Sequence, residues 1–109
     1  MSSGIEGSAG AELEFTWDPV KAAVNLAKHG VAFAQAATVF ADALALAVFD
    51  HEHSEFEERW FTLGTDSHGK LLAVSHTYTA TGPANASVRV ISAREATRNE
   101  RQQYENVPR

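Results

Sequence analysis

The sequence predicts an α+β domain in which helices pack against one antiparallel sheet of about four to five strands. After one short alternating segment, the first part of the chain has apolar residues at helical spacing. The second part has apolar runs of strand length that are separated by turn signals. A polar segment with a helix-start motif ends the chain. The predicted order is therefore β-α-α-β-β-β-β-α.

The first 12 residues are rich in Gly, Ser and Ala and contain little that could enter a core. We expect residues 1–12 to be a disordered leader or a cloning remnant, and residues 13–109 to form one domain. Leu13–Trp17 alternates between apolar and polar residues, which predicts a strand.

The next segment carries helix signals at both ends. Asp18 is a good N-cap, Pro19 suits the first helical position, and Gly30 supplies a left-handed stop. Between these signals, four residues form an apolar stripe that we expect to face the core: Val20, Ala23, Val24 and Ala27. The opposite face carries Lys21, Asn25 and Lys28. A second short helix is predicted over Phe33–Phe40.

Four strands are predicted in the second half of the chain. They span 44–50, 59–65, 70–79 and 87–92. An acidic connector at 51–58 and a hairpin turn at 66–69 separate the first three, and residues 80–86 are predicted to be a flexible loop. Ser92 and Glu95 fit a capping box, which predicts a final helix from Ser92 to about Tyr104.

Bulk composition narrows the class of protein. The chain has 109 residues and a net charge of −5, and this charge argues against direct binding to nucleic acid. It contains no cysteine, which favours an intracellular, cytoplasmic protein without disulfides. No apolar run approaches the roughly 20 residues of a membrane helix, so no membrane partner is expected.

The acidic connector allows two kinds of site. His51 and His53 could bind a metal with a nearby carboxylate, although a solvated loop is the commoner meaning of this composition. Alternatively, His53, Glu58 and Arg59 could act on RNA without a metal. Imidazole and carboxylate groups suit proton transfer, and guanidinium groups suit the charge on phosphate oxygens. Lys28 or His29 could complete that set.

Other polar residues have ordinary explanations. Arg59 and Arg89 interrupt apolar strands, so each should point away from the core. His76 is predicted to be a buried or half-buried histidine with its hydrogen bonds satisfied. Trp17 and Trp60 are expected in the core or in a subunit contact. Three arginines are predicted to share one face of the last helix: Arg94, Arg98 and Arg101.

The ordered blocks nevertheless resemble a known family. They are FTWDPVKAAVNLAKHGVAF, ATVFAD, DHEHSEFEERWFTLG, GKLLAVSHTYT and VRVISAREATRNERQQYE. Together they cover about residues 13–105 and are similar to the BrnT family of bacterial toxins. The resemblance implies a RelE-like fold and a ribonuclease that cleaves RNA and inhibits translation and growth, with no cofactor and no metal. It also implies a BrnA-like ribbon-helix-helix antitoxin, and contact with operator DNA only through the antitoxin complex.

Site residues follow from this resemblance by position. Lys28 lies in the family's K-H-G motif, and Arg94 lies in its I-S-A-R motif. His53, Glu58 and Arg59 lie in its H-S-x-x-E-E-R motif. Family members often have an arginine where this chain has Thr79. The chain has therefore either lost activity, and acts mainly as an antitoxin-binding co-repressor, or uses Arg89 instead.

Overall fold

The computed structural model describes residues 12–108, which form three α-helices and a six-stranded sheet. The helices are α1 (Pro19–His29), α2 (Phe33–Ala37) and α3 (Arg98–Asn106), and short 3-10 turns span Thr38–Ala41 and His51–His53. The strands are β1 (Glu12–Thr16), β2 (Leu46–Phe49), β3 (Arg59–Thr65), β4 (Leu71–Thr77), β5 (Thr79–Gly82) and β6 (Asn85–Glu95). The predicted leader lies outside the described residues, apart from Glu12, which begins β1. In the described range, no helix has both the length and the apolar character needed to cross a membrane.

The sheet is mixed, in the order β1-β6-β4-β3-β2. Its central strands are antiparallel, as predicted, and β3 occupies the predicted residues. The prediction of a wholly antiparallel sheet is wrong at one edge, because β1 runs parallel to the first half of β6, with Leu13 opposite Ala86. The α+β class itself is confirmed.

Two C-terminal elements differ from their predictions. Ser92 does not cap a helix, because β6 continues to Glu95 and its buried Ala93 pairs with Val74 of β4. The helix begins after Thr97 instead, where Thr97 and Glu100 form the capping box. The capping-box pattern therefore occurs twice, at Ser92–Glu95 and at Thr97–Glu100. Only the second starts a helix, because residues 92–95 continue β6 with Ala93 buried. Arg94 consequently belongs to β6 and does not share a helix face with Arg98 and Arg101.

The predicted flexible loop at 80–86 is also wrong. This segment contains β5 and the start of β6, which pair as a hairpin with Thr79 opposite Ser87. The turn residues Pro83 and Ala84 lie between the two strands.

The core lies between the helices α1 and α2 and one face of the sheet. Its buried cluster consists of Val31, Phe33, Ala36, Val39, Leu72, Val74, Val90 and Ala93. Phe33 and Ala36 of the predicted second helix both lie in this cluster. The opposite sheet surface, which we call the open face, carries the alternate residues of the central strands. Its members discussed below are Arg59, Phe61, Thr77, Arg89 and Arg94.

Helix α1 has the predicted ends, but the predicted apolar stripe does not face the core. Asp18 caps its start and Gly30, with φ of 71°, ends it. However, Val20 and Val24 of the apolar stripe are 70% and 58% exposed, whereas Asn25 is only 5% exposed. The Asn25 amide donates to the carbonyls of Val31 and Ala93 and accepts from the Ala93 N–H. Two of these bonds occupy backbone groups of β6 beyond the end of β1, and together they hold Asn25 on the inward side of α1, beside the half-buried Ala22.

Candidate functional site

Two arginines of the open face converge on one carboxylate. Arg59 begins β3 and Arg89 lies in β6, and Thr77 of β4 stands between them. The Thr77 hydroxyl accepts from the Arg89 backbone N–H at 3.2 Å. Glu57 Oε2 forms an ion pair with Arg89 Nη2 and lies 3.7 Å from Arg59 Nη2. We call Arg59 and Arg89 the arginine pair.

The arginine pair has the character of an anion site. The hydrogen bond from Arg89 is the main cause that lowers the pKa of Glu57, so this carboxylate is ionised at neutral pH. Both guanidinium groups remain partly exposed. The Nε donor of Arg59 is buried and has no hydrogen-bond partner in the described part of the chain. Two guanidinium groups that converge on one carboxylate oxygen are also suited to an oxygen of a phosphate group.

His53 and Glu58 are separated by the structure. His53 shares a pocket with Glu57 and Arg59, and its Nδ1 lies 2.9 Å from Asp50 Oδ2. The Glu58 carboxylate accepts from Trp60 Nε1 at 3.2 Å instead. The sequence analysis therefore missed Glu57. Glu57 lies in the bend before β3, where no period-two pattern indicates the direction of its side chain.

Arg94 lies at the other end of the open face. Its guanidinium is held by both oxygens of Glu100, at 2.8 and 2.9 Å, and sits 5.6 Å from the centre of the Phe61 ring. The Glu100 hydrogen bond raises the pKa of Arg94, and the Arg94 hydrogen bond lowers the pKa of Glu100. This pair fastens α3 to the sheet. Tyr104 adds a second attachment by donating to Asp42 at 2.6 Å.

Replacing Glu100 by alanine should lower the free energy of unfolding by about 2 kcal/mol at pH 7, because the ion pair and the Glu100 side-chain half of the capping box are both lost. The folded pKa of Glu100 lies below its ordinary 4.5, so its stabilisation is complete above that pH and is lost as the pH falls through the folded value. Urea unfolding at pH 7 and pH 3 measures this. The Glu100→Ala deficit should shrink at pH 3, whereas exposed Glu105→Ala should have little effect at either pH. An undiminished deficit at pH 3 would contradict the linkage.

The remaining predicted site residues lie elsewhere. Lys28 and His29 are exposed near the end of α1 and line a groove that also includes Ile91 and Ser92 of β6. The structure thus brings together His53, Arg59 and Arg89, and it places Lys28, Glu58 and Arg94 outside that group.

His51, His53 and His76 each contact a group of the protein in the described part of the chain. The His51 ring packs against Phe49 at 4.7 Å, and His53 faces Asp50. Across residues 12–108, no three side chains of His, Asp or Glu are grouped as metal ligands. His76 is 3% exposed and bonds to Thr62 Oγ1 and to the Thr77 carbonyl, which confirms its prediction as a satisfied buried histidine. Burial lowers the pKa of His76.

Comparison with known proteins identifies the class. Residues 17–100 match the family described as the ribonuclease toxin BrnT of type II toxin–antitoxin systems. The chain therefore belongs to the BrnT family, which confirms the predicted membership. Its fold is similar to that of the Brucella abortus ribonuclease toxin BrnT, a crystal structure at 1.1 Å. That similarity has a TM-score of 0.55 at 22% identity and covers 80% of this chain and 100% of the other. No curated protein matches the sequence.

Proposed function

We propose that this chain is a RelE-like, metal-independent endoribonuclease toxin that acts in the cytoplasm, where it cleaves RNA and inhibits translation and growth. The observation that carries the proposal is the convergence of Arg59 and Arg89 on the Glu57 carboxylate. In the proposed complex, a phosphate of the RNA replaces this carboxylate between the two guanidinium groups. The family membership supplies the reaction class.

The arginine pair stabilises the reacting phosphate. When the 2′-oxygen attacks phosphorus, negative charge grows on the phosphoryl oxygens, and Arg59 and Arg89 offset it. Donors placed in advance at such a charge are worth about 10²–10³-fold in rate each.

Two proton transfers accompany the phosphoryl transfer. Glu57, displaced from the arginine pair, accepts the proton of the 2′-hydroxyl as the bond from the 2′-oxygen to phosphorus forms. The bond from phosphorus to the 5′-oxygen breaks, and protonated His53 donates a proton to that oxygen. Asp50 orients the His53 ring through Nδ1. The products are a 2′,3′-cyclic phosphate and a 5′-hydroxyl.

The test compares two neighbouring glutamates in the presence of EDTA. Glu57→Gln should slow cleavage of a labelled RNA by about 10²-fold or more, since it removes the base. Glu58→Gln is the matched control and should remain within a few-fold of the unaltered chain. Equal loss in both variants would overturn the role of Glu57. Cleavage that requires an added divalent cation would overturn the metal-independent mechanism.

The partner in this proposal is a BrnA-like ribbon-helix-helix antitoxin. It neutralises the toxin and provides the contact with operator DNA. The net charge of −5 supports this division of roles, because DNA-binding surfaces are generally basic. In addition, the three arginines of the open face each pair with a carboxylate of the same chain.

A second candidate is a weakened toxin that serves mainly as antitoxin-binding partner and co-repressor. Two observations favour this candidate. Thr79 stands where family members often have an arginine, and carboxylates of the same chain already pair with Arg89 and Arg94. Expression without antitoxin separates the two candidates. Growth arrest that disappears in Glu57→Gln supports the ribonuclease, and unimpaired growth with an abundant, folded chain supports the weakened toxin.

A further inference from the structure

Helix α1 presents its apolar residues to solvent. Val20 and Val24 are largely exposed, and Ala23 and Ala27 continue the same stripe along the helix. An amphipathic helix normally buries such a stripe. Here the inward position is taken by Asn25, whose three hydrogen bonds to the backbone fix the rotation of the helix. The hydrogen bonds of Asn25 therefore keep the apolar stripe at the surface.

The stripe borders a groove along the edge of β6. On one side of this groove are Val20 and Val24, and on the other are Ile91 and Ser92. Lys21 and Lys28, about two helical turns apart, flank the valines. We call this surface the α1 groove. It is separate from the pocket that contains His53 and Arg59.

The two lysines of the α1 groove differ from most cations of the chain. In the described range, neither Lys21 nor Lys28 has a carboxylate within ion-pair distance. Carboxylates of the same chain do lie within 4.0 Å of Arg59, Lys70, Arg89, Arg94 and Arg101. The α1 groove thus combines uncompensated positive charge with exposed aliphatic surface on an otherwise acidic protein.

We propose that the α1 groove binds the antitoxin through an amphipathic helical segment whose apolar side chains are flanked by carboxylates. Its apolar side would cover Val20 and Val24, and its carboxylates would pair with Lys21 and Lys28. This inference rests on the antitoxin pairing proposed above and adds where the antitoxin binds. RNA fits the groove less well, because its phosphates leave the two valines uncovered. A second copy of this chain fits the groove less well too. A symmetric contact would place two further lysines beside the first two, and the described residues that line the groove include no carboxylate to pair with them.

The experiment measures binding to the purified ribbon-helix-helix protein encoded beside this chain, by calorimetry at two salt concentrations. Val24→Asp and Lys21→Glu should each weaken binding by about tenfold or more. The Lys21→Glu variant should also show a weaker dependence on salt. Val48→Asp is the matched control and should bind normally, since Val48 on the edge strand β2 is 46% exposed against 58% for Val24. RNA cleavage and circular dichroism are recorded for every variant and should be unchanged.

Each result that would contradict the proposed binding site can be distinguished from the others. Unaltered affinity of Val24→Asp and Lys21→Glu overturns the inference and leaves the antitoxin pairing intact. Loss of RNA cleavage with normal antitoxin binding assigns the groove to RNA and overturns the inference. A loss of self-association in sedimentation, with normal antitoxin binding, assigns it to a second copy and also overturns it. An unaltered chain that binds none of the neighbouring protein overturns the proposed pairing itself, and the inference with it.

Discussion

Replacing Arg89 by alanine is expected to lower kcat/KM for RNA cleavage by about 10²–10³-fold, as removal of a donor to a developing oxyanion does. Arg89 reaches the carboxylate that also faces Arg59, so both side chains are placed to hold one phosphate. If they hold one phosphate together, the combined loss in Arg59→Ala/Arg89→Ala should be smaller than the product of the single losses. Initial rates in EDTA over a range of RNA concentrations give these values.

A second-site substitution makes this prediction specific. Thr79 stands opposite Ser87, which is two residues from Arg89 on β6 and points to the same side of the sheet. An arginine at position 79 would restore the residue that is common in the family. Thr79→Arg in the Arg89→Ala background is therefore expected to recover about tenfold of the lost activity, since a guanidinium again reaches the phosphate.

The control for the arginine substitutions is Arg101→Ala. Arg101 lies on α3, where its guanidinium is 3.9 Å from Glu105 and exposed. Its removal changes the net charge as Arg89→Ala does but leaves the arginine pair intact. Normal cleavage by Arg89→Ala, or equal losses in Arg89→Ala and Arg101→Ala, would show that Arg89 does not act at the phosphate.

Signals confined to a few neighbouring residues predicted much of this fold. The Asp18 cap and the Gly30 stop bound α1 because both depend on local backbone hydrogen bonds. The apolar run in Arg59–Thr65, followed by the turn signal at 66–69, placed β3, because both signals are local. By contrast, the parallel pairing of β1 with β6 joins residues about seventy positions apart, and no local pattern encodes it. The orientation of α1 also depended on a distant group, the Ala93 backbone.

The candidate site was predictable in its residue types and less so in its contacts. The H-S-x-x-E-E-R motif indicated Arg59, and Arg89 was named as the substitute for the family arginine absent at Thr79. The structure brings their guanidinium groups to one carboxylate. The choice between Glu57 and Glu58 depended on the direction of each side chain after the bend that precedes β3. Glu58 turns toward the Trp60 indole, and this leaves Glu57 for the arginines.

Asn25→Ala is expected to be the most destabilising single substitution considered, with a loss of about 3–5 kcal/mol in the free energy of unfolding. The change removes three hydrogen bonds and leaves the Val31 carbonyl and both backbone groups of Ala93 without the partner they have now. Urea unfolding followed by circular dichroism measures the loss. Leu26→Ala, at the next and exposed position of α1, is the control and should cost about 0.5 kcal/mol or less.

Asn25→Asp distinguishes the hydrogen-bond account from simple loss of volume. Aspartate has nearly the shape of asparagine and still accepts from the Ala93 N–H, but when ionised it offers no donor to the two carbonyls. A buried carboxylate facing carbonyl oxygens should have a pKa above its ordinary value. Because the folded pKa is then the higher one, Asn25→Asp should become more stable relative to Asn25→Ala as the pH is lowered from 7 toward 4. A constant difference between the two variants over this range would show that the amide donor does not hold α1 against β6.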